Sequence, residues 1–466
     1  MRHNGNTNIL AVFAVLLALG LPQCGRAQFT FTTNNGAIVI TGYTGSGGSV
    51  FIPGTTNGYP VKSIGDYAFN GKTAVTGVVI PNSITNIGNY AFASSGLTNV
   101  TISSSVINIG SSAFYSCPGL TNIDVNASNP SYASIGGVLL NKTLTTLIQY
   151  PGGLAGNYAI PSSVTIIGQS AFFGCSHVTS MTMPNSVTNM GDFAFDSCVG
   201  LTNAMIGNGV TNIGVYGFAF CSGLSSVNIP DSVKTIGYNA FDSCSSMTSV
   251  IIGNSVLSLG AGAFIRCTNL TNMTIPDSVS NVGSYAFQWC ANLTNVTFGN
   301  GITFIGYDAF GHCSSLKTAT IPKSVNNFDY NVFETCTNLH QAFFLGNAPT
   351  IGGWAGNLDS SVFAGDTGIV YYLPAATGWS TNFGGWPTVL WNPQVQTTNK
   401  NFGIRTNRFG FNLTGTTNIP VVVEACTNLG GVWTPLFAGG ITNGSVYFSD
   451  ATWTNFSQRF YRVRSP

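Results

Sequence analysis

The chain has 466 residues, of which only 6% are charged and 44% are hydrophobic, and its formal net charge is +1. So small a net charge creates no long-range field, which argues against nucleic acid or an anionic membrane as partners attracted by the chain as a whole. The scarcity of charge does not indicate disorder, because the hydrophobic residues are regularly spaced along the chain.

The N-terminal segment has the features of a signal peptide. Arg2 and His3 precede an apolar run at 9–21, and the sequence Gly-Arg-Ala at 25–27 places small side chains at the −3 and −1 positions of a cleavage site. We therefore expect residues 1–27 to be removed from an exported protein that is secreted or displayed on a bacterial envelope. An uncleaved anchor is the alternative. The apolar run is short for a membrane span, and we predict no transmembrane span in the mature chain.

A pattern of about 23 residues occupies the middle of the chain. Its copies begin at a valine or isoleucine that precedes an Ile-Gly pair or a close variant, and they start at Val61, Ile84, Val106, Val164, Val187, Val210, Val233, Val256, Val279, Ile302 and Val325. From Val164 onward every step is 23 residues. Self-similarity at this period is typical of a solenoid, in which each turn covers the apolar face of the next.

The pattern also predicts how the first three quarters of the chain are divided. Repeats cover 61–345, with a hairpin insertion at about 129–163, because 58 residues separate Val106 from Val164. Residues 28–60 precede the first regular copy and are expected to form an N-terminal cap.

Within one repeat, the spacing of apolar residues predicts strands rather than helices. In 270–275, Asn272 and Thr274 alternate with apolar residues, which is the period of a strand with one buried face. The segment that follows the Ile-Gly pair is too short for a stable helix and is expected to form an irregular arc or a 3-10 turn. The predicted fold class is therefore mainly β, a solenoid of about 23-residue units.

A cysteine recurs at one position of the repeat. Nine copies carry it, at Cys117, Cys175, Cys198, Cys221, Cys244, Cys267, Cys290, Cys313 and Cys336. The first two copies place Lys72 and Ser95 there, at the end of the array. Stacked turns would align the cysteines about 4.8 Å apart, and we predict a structural ladder of buried, reduced thiols that act as small hydrophobes. Disulfides between adjacent turns are the alternative, since export would permit them.

The repeat, read as L-x-x-V-x-I-P-x-S-V-x-x-I-G-x-x-A-F-x-x-C-x-x-L, resembles the BspA-type leucine-rich repeat. The best copy runs from Leu224 to Met247, where Met replaces the final Leu, and similar copies cover 61–345. Residues 40–69 resemble the segment that leads into such arrays, and residues 134–153 resemble a hairpin insertion that recurs within them. The resemblance implies a secreted or surface-displayed protein that binds host proteins, matrix or other cells.

The period ends after Cys336. Residues 346–391 contain a block of aromatic residues that we expect to cap the last turn and cover its edge strand, although stacking on sugar rings is an alternative. Residues 392–405 are interpreted as a linker, and 406–466 as a small β-sandwich-like module of short strands. From residue 392 onward the chain has six basic and two acidic residues. Contact with an anionic envelope surface is therefore an alternative to ordinary surface charge.

No combination of residues points to catalysis or to a metal. The four histidines are scattered, the aspartates fall in turns without a close pair on the predicted strands, and there is no CxxC spacing. Nucleophile, zinc, phosphate-loop and calcium-loop motifs do not occur in the sequence. We therefore predict a protein that is not an enzyme and that has neither a cofactor nor a metal.

The outward face of the predicted strands is the candidate binding surface. Its hydroxyl and amide groups can hydrogen-bond a glycan or an extended protein chain without steering by charge. The candidate residues are Asn99, Thr101, Ser180, Thr182, Asn203, Ser226, Asn228, Ser249, Asn272, Thr274, Asn295, Thr297, Thr318 and Thr320. A face that is merely soluble, without a ligand, is the alternative reading of the same residues.

These features together predict a protein-binding or cell-adhesion role. The expected partner is an extracellular protein or glycan, and no nucleic acid partner is expected. A self-associating structural surface protein is the alternative, and the sequence does not fix the oligomeric state.

Overall fold

The computed structural model describes residues 28–352 and 361–464, and the backbone there is almost entirely β. The predicted signal peptide, 1–27, lies outside the described residues. Short strands follow one another at intervals of one repeat, and within the described ranges the only helical segment is a 3-10 turn at Trp453–Asn455. The structure confirms the predicted fold, a mainly β solenoid with turns of about 23 residues.

Each turn contributes one strand to what we call the long-strand ladder. Its neighbouring strands are parallel and keep a fixed register, so that Ser226 pairs with both Asn203 and Ser249. Side chains alternate between the core and the outside, as the pleat of a strand requires. The strands are Gly48–Phe51, Val75–Val79, Asn99–Ile102, Asn122–Val125, Gly156–Ala159, Val178–Thr182, Asn203–Met205, Ser226–Ile229, Ser249–Ile252, Asn272–Thr274, Asn295–Thr297, Thr318–Ile321, Gln341–Phe344, Ile369–Tyr372 and Trp386–Leu390, with Asn382–Phe383 antiparallel to the last.

A second, short-strand ladder runs along another side of the solenoid. Most of its strands have two residues and pair in parallel with the next turn: Tyr59–Ile64, Asn86–Ile87, Asn108–Ile109, Thr146–Gln149, Ile166–Ile167, Asn189–Met190, Asn212–Ile213, Thr235–Ile236, Ser258–Leu259, Asn281–Val282, Phe304–Ile305, Asn327–Phe328 and Thr350–Ile351. The N-terminal hairpin, Phe29–Asn34 and Ala37–Tyr43, continues this ladder, because its second strand pairs in parallel with Tyr59–Ile64. Thr55–Thr56 adds a short antiparallel strand there.

On its third side, each turn of the solenoid forms an irregular arc, which carries the repeated phenylalanine and cysteine. The backbone N–H of Phe218 donates to the carbonyl of Ala240 at 2.7 Å, and that of Phe241 to the carbonyl of Ala263 at 2.8 Å. Consecutive turns are therefore joined by backbone hydrogen bonds on all three sides. This pairing satisfies main-chain groups that burial would otherwise leave without partners.

The core of the solenoid is a column of stacked aromatic rings. The rings of Phe218, Phe241 and Phe264 are fully buried, and their centroids lie 5.3 and 5.2 Å apart with interplanar angles of 3° and 1°. Equivalent pairs extend the column from Tyr150 to Trp386, and a separate stretch runs from Tyr43 to Phe114. Each ring thus excludes water from the two adjacent turns and contributes a stacking energy beyond its burial.

The predicted insertion is a hairpin that separates the two stretches of this column. Tyr132–Ile135 pairs antiparallel with Val138–Asn141, which pairs antiparallel with Thr146–Gln149. The last of these strands returns the chain to the short-strand ladder by pairing in parallel with Ile166–Ile167. The buried residues of the repeats accordingly fall into two clusters, and the hairpin contributes Leu139 to one and Leu140 to the other.

A buried asparagine fixes the start of this insertion. Asn129 has no exposed surface, and its amide group donates to the carbonyls of Ser103 at 2.7 Å and Val106 at 2.9 Å. Its side-chain oxygen accepts from the backbone N–H groups of Ser131 and Tyr132, both at 2.8 Å. These backbone groups would cost free energy if they were buried without hydrogen-bond partners. Asn129 therefore supplies the hydrogen bonds of the backbone at the point where the chain leaves the regular stack.

The aromatic block at 361–391 packs into the last turns of the solenoid. Trp386 is buried, stacks on Phe363 at 4.0 Å and donates from Nε1 to the carbonyl of Asp366 at 3.1 Å. Trp379 lies between Tyr372 and Phe383, with ring centroids 5.2 Å from each. Trp386 is thus the last ring of the aromatic column.

The C-terminal module consists of two antiparallel sheets. One contains Gln394–Gln396, Gly403–Arg405, Arg408–Thr414 and Ser445–Asp450, and the other contains Pro420–Cys426, Thr434–Gly440 and Phe460–Arg464. The segment 392–405, which we expected to be a linker, therefore supplies two strands of the first sheet. Alternation is hard to recognise there because the strands have three residues each and the surrounding segment is rich in Asn, Gln and Thr.

The phenylalanine column gives a first prediction. Phe241→Ala removes a buried ring that stacks on both neighbours, and we expect it to lower the free energy of unfolding by about 3–5 kcal/mol. Phe220→Ala is the control, because Phe220 belongs to the same type of arc but is 43% exposed. Chemical denaturation followed by circular dichroism measures both variants. Equal losses in the two variants would contradict a core dominated by the column.

Candidate binding surface

All fourteen candidate residues lie on the long-strand ladder, at positions that alternate with buried side chains. In Ser226–Ile229, for example, Ser226 and Asn228 are exposed while Val227 and Ile229 are buried. Eleven of the fourteen are exposed, and Ser180, Thr318 and Thr320 are half-buried. The structure thus places the candidate residues on one side of the solenoid.

Parallel register arranges these residues in two rows across the turns. In the first row, Ser180, Asn203, Ser226 and Ser249 are successive partners. In the second row, Thr182 is followed by Met205, Asn228 and Ile251. Residues 23 apart in sequence therefore become neighbours about one strand spacing apart.

Most of the hydrogen-bonding groups in these rows are not used by the fold. Among the candidates, Asn99 and Asn272 donate to the hydroxyl of the preceding threonine, and Thr182 approaches the sulfur of Met205. Within residues 28–352 and 361–464, the side chains of the other eleven form no hydrogen bond to the protein. Their donors and acceptors are therefore available to water or to a ligand.

The position just before each long strand behaves differently. Its hydroxyl donates to the carbonyl of the residue one turn earlier, as in Thr202 to Thr179 at 3.0 Å and Thr294 to Thr271 at 3.0 Å. Thr98 and Thr121 form the same bond in the first part of the array, to Thr76 and Thr98 respectively. The threonines of the repeat therefore fall into two groups. Those before the long strands join consecutive turns by hydrogen bonds, and those within the strands expose their hydroxyl groups on the strand face.

Sequence reasoning missed part of this face. Asn122 and Asp124 pair with Asn99 and Thr101 and continue both rows by one turn. The insertion that follows them interrupts the 23-residue period, which is why the pattern did not include them. A cavity of about 320 Å³ opens nearby, and its lining includes Asn99, Thr101 and Gly77, whose missing side chain leaves space between the rows.

The C-terminal module closes one end of the face. Thr320 pairs with Phe343, and Phe343 pairs with Tyr371. Both aromatic rings are buried in a cluster with Phe411, Val421 and other residues of the module. This packing explains why Thr318 and Thr320 are half-buried, whereas most of the other candidate residues are exposed. The solvent-exposed part of the face therefore ends before Thr318.

The nine cysteines line the interior of the arcs. Each is buried and free, and the thiols of Cys221, Cys244 and Cys267 donate to phenylalanine carbonyls at 3.1 to 3.2 Å. Burial raises the pKa of the Cys244, Cys267 and Cys290 thiols, that of Cys290 to about 12. A thiolate is the reactive form of cysteine, so burial lowers the reactivity of these three thiols.

Three carboxyl groups are buried on the arc side, away from the strand face. Burial and, to a smaller extent, the nearby Glu334 raise the pKa of Asp308 to about 7. Burial also raises the pKa of Asp196 to about 6, with a smaller contribution from Asp242 two turns away. One carboxylate oxygen of Asp308 has no hydrogen-bond partner, so its ionised form is poorly compensated.

Two further observations concern metals and membranes. In the part of the chain that the structure describes, no three His, Cys, Asp or Glu side chains come together in a way that would hold a metal ion. Among those same residues there is no helix with the length and hydropathy needed to cross a membrane.

A comparison with known protein families agrees with the geometry. Six copies of the BspA type leucine rich repeat region match the chain, over residues 62–155, 154–271 and 258–357. The chain belongs to this family. The BspA-type repeats thus account for the two ladders and the arcs, and they include all fourteen candidate residues. None of the curated proteins matches the chain.

Several solved structures of leucine-rich proteins are similar to the chain at low identity. A leucine rich cell surface protein from Faecalibacterium prausnitzii is 22% identical, with a TM-score of 0.40, over 60% of this chain and 95% of its own. A leucine-rich repeat protein from Bacteroides ovatus is 23% identical, with a TM-score of 0.43, over 78% and 99%. One from Eubacterium ventriosum is 22% identical, with a TM-score of 0.47, over 71% and 94%.

The cysteine column leads to a prediction about thiol chemistry. In the native BspA-type array, we expect the nine cysteines to resist a thiol-specific reagent, because all nine side chains are buried and the reagent cannot reach them. In denaturant without a reducing agent, all nine are expected to react. Alkylation followed by peptide mass spectrometry measures both states. Rapid labelling of the native protein would contradict the prediction. Thiols that remain unreactive after unfolding would also contradict it, because they would reveal disulfide bonds.

Asp308 leads to a prediction about pH. Its pKa is raised to about 7 in the folded state, against roughly 3.9 in an unfolded chain. The folded state therefore binds the proton more tightly, and this contribution to stability is full below about pH 4 and is lost as the pH rises through 7. We expect Asp308→Asn to raise Tm at pH 8 by a few degrees and to change it little at pH 4.

Thermal unfolding across this pH range measures the effect. Asp124→Asn, a change at an exposed carboxylate, is the matched control. A Tm difference for Asp308→Asn that does not vary with pH would show that the carboxyl does not change ionisation in this window.

Proposed function

We propose that the protein is an exported, non-enzymatic binding protein that uses the strand face of its solenoid to engage an extracellular protein or glycan. The observation that carries the proposal is the pair of in-register rows in which most of the hydroxyl and amide groups have no hydrogen-bond partner within the described part of the protein. Such rows offer regularly spaced donors and acceptors to an extended ligand. The rigid stack holds them in place, which lowers the entropic cost of binding.

Export is supported by the predicted signal peptide and by the family. One of the similar solved structures is described as a leucine rich cell surface protein. The scarcity of charge on the strand face favours recognition by hydrogen bonds and shape over electrostatic steering. A binding role is also supported by the location of the buried carboxyl groups, which lie inside the arcs rather than along the rows.

A test of this proposal places bulk and charge in the middle of the rows. Immobilised protein is exposed to extracellular protein and glycan fractions, and retained material is compared with that of the double variant Asn228→Arg, Ser249→Arg. We expect the variant to lose most of the retention, because both arginines project from the strand face. Leu257→Arg is the control, since Leu257 is exposed outside the long-strand ladder.

Two outcomes would count against the proposal. One is an absence of retention by the unmodified protein from every fraction at millimolar concentration. The other is equal loss in the strand-face variant and the control, which would locate binding elsewhere.

The alternative of self-association has its own structural support. Met205 and Ile251 are 57% and 65% exposed in the same row, on either side of Asn228, and exposed apolar side chains grouped on one face favour contacts between protein molecules. Light scattering over a range of concentrations separates the alternatives. A monomer at high concentration would reject self-association, whereas oligomers abolished by Ile251→Lys would support it.

A further inference from the structure

The C-terminal module contains two arginines that face each other without a counter-ion. Arg405 and Arg408 are direct partners in the antiparallel pair of Gly403–Arg405 with Arg408–Thr414. The two residues that join the strands, Thr406 and Asn407, have left-handed backbones with φ of 47° and 59°. This is a tight two-residue turn that fixes the relative position of the arginines.

Like charges directly opposite each other destabilise an antiparallel pair. Both arginines are exposed, and across residues 28–352 and 361–464 neither forms a salt bridge or a side-chain hydrogen bond. A site for an anion would compensate for this repulsion.

The other arginines of the module differ from Arg405 and Arg408, because each of those described next forms an ion pair with a carboxylate. Arg462 and Arg464 both bind the buried carboxylate of Glu424, at 2.7 Å each. Arg459 binds the buried carboxylate of Asp450 at 2.9 Å. Both acidic residues after position 392 are thus engaged by other arginines. Within the described residues of the module, no side-chain carboxylate is left for Arg405 and Arg408.

A tyrosine lies beside the two arginines. Tyr447 is 45% exposed, and its hydroxyl occupies the space that a Cβ atom at Gly410 would fill. Gly410 itself pairs with Gly403 in the neighbouring strand. The two glycines therefore leave the sheet surface flat at this point, and the tyrosine side chain extends across it.

These groups surround one cavity of about 370 Å³. Its lining is Asn401, Arg405, Thr406, Arg408, Tyr447 and Ser449. It has amide, hydroxyl and guanidinium donors around an aromatic ring, and no carboxylate. Guanidinium groups match the planar geometry of carboxylates and can bind them through two parallel hydrogen bonds. The aromatic side chain offers an apolar surface for the C–H groups of a ring.

From this arrangement we infer a second binding site, on the C-terminal module, for an acidic polysaccharide. Arg405 and Arg408 bind the carboxylate or sulfate of a sugar residue, Tyr447 packs against the sugar ring, and Asn401 and Ser449 hydrogen-bond its hydroxyl groups. A lipid is a poorer match because the lining has no aliphatic side chain to cover an acyl chain. This site is separate from the strand face and does not depend on the function proposed for it.

The test measures binding of the whole protein to polygalacturonate, which carries carboxylates, to heparin, which adds sulfates, and to neutral dextran. We expect saturable binding to at least one acidic polymer, weakening with salt, and none to dextran. The double variant Arg405→Gln, Arg408→Gln should lose about tenfold or more in affinity, since two charge-assisted contacts disappear. Tyr447→Ala should also weaken binding.

The matched control removes two positive charges elsewhere. Lys62→Gln, Lys317→Gln changes two exposed lysines of the solenoid and should leave affinity within about twofold, as expected if general surface charge contributes little. Without ligand, the double arginine variant should be as stable as the unmodified protein or more so, because the cross-strand repulsion is gone. That result separates a binding role from a structural one.

Several results would overturn the inference. These are an absence of binding to every acidic polysaccharide at millimolar sugar concentration, equal losses in the arginine and lysine variants, or binding of dextran as tight as that of the acidic polymers. Preferential binding of anionic phospholipid vesicles or of a single-stranded oligonucleotide through the same arginines would also overturn it. None of these results affects retention by the strand face.

Discussion

Hydrogen bonding between consecutive turns of equal length is the constraint on which the rest of this structure depends. A turn of 23 residues places each backbone group beside its equivalent in the next turn, and this holds on both ladders and in the arcs. The same registration puts Phe on Phe and Cys on Cys. Turns of other lengths keep the pairing where the strand positions still align, as between Val78 and Val100, which are 22 residues apart. The insertion before Val164 is accommodated by a separate hairpin anchored by Asn129.

The stack also determines where chemistry can occur. Its interior is filled mainly by aromatic rings, aliphatic side chains and thiols, with the carboxyl groups of Asp196, Asp242 and Asp308 buried on the arc side. The outside is a repeated surface in which the same position recurs about one strand spacing apart. This repetition is the basis of the binding role that we propose for an extended ligand.

The two ends of the solenoid are closed by different means. At the N-terminus a hairpin pairs with the first turn and places Tyr43 on Phe69 at 5.3 Å. At the C-terminus, Trp386 covers the aromatic column, and the terminal module packs on Phe343 and Tyr371. Trp391 joins the two parts by donating to the carbonyl of Pro420 at 2.7 Å. The module therefore continues the structure of the solenoid while carrying the unpaired arginines on its own outer surface.

The sequence by itself determined the repeat, the strand in each copy, the inward phenylalanines and the outward hydroxyl and amide positions. These features follow from a local periodicity that recurs in every turn. The sequence did not reveal the strands within 392–405, the extension of the rows to Asn122 and Asp124, or the partial burial of Thr318 and Thr320. Only the tertiary structure decided these features, along with the pairing of Arg405 with Arg408. Each depends on which segments meet across a sheet or at the end of the stack, and contacts between distant, non-repeating segments leave no periodic trace in the chain.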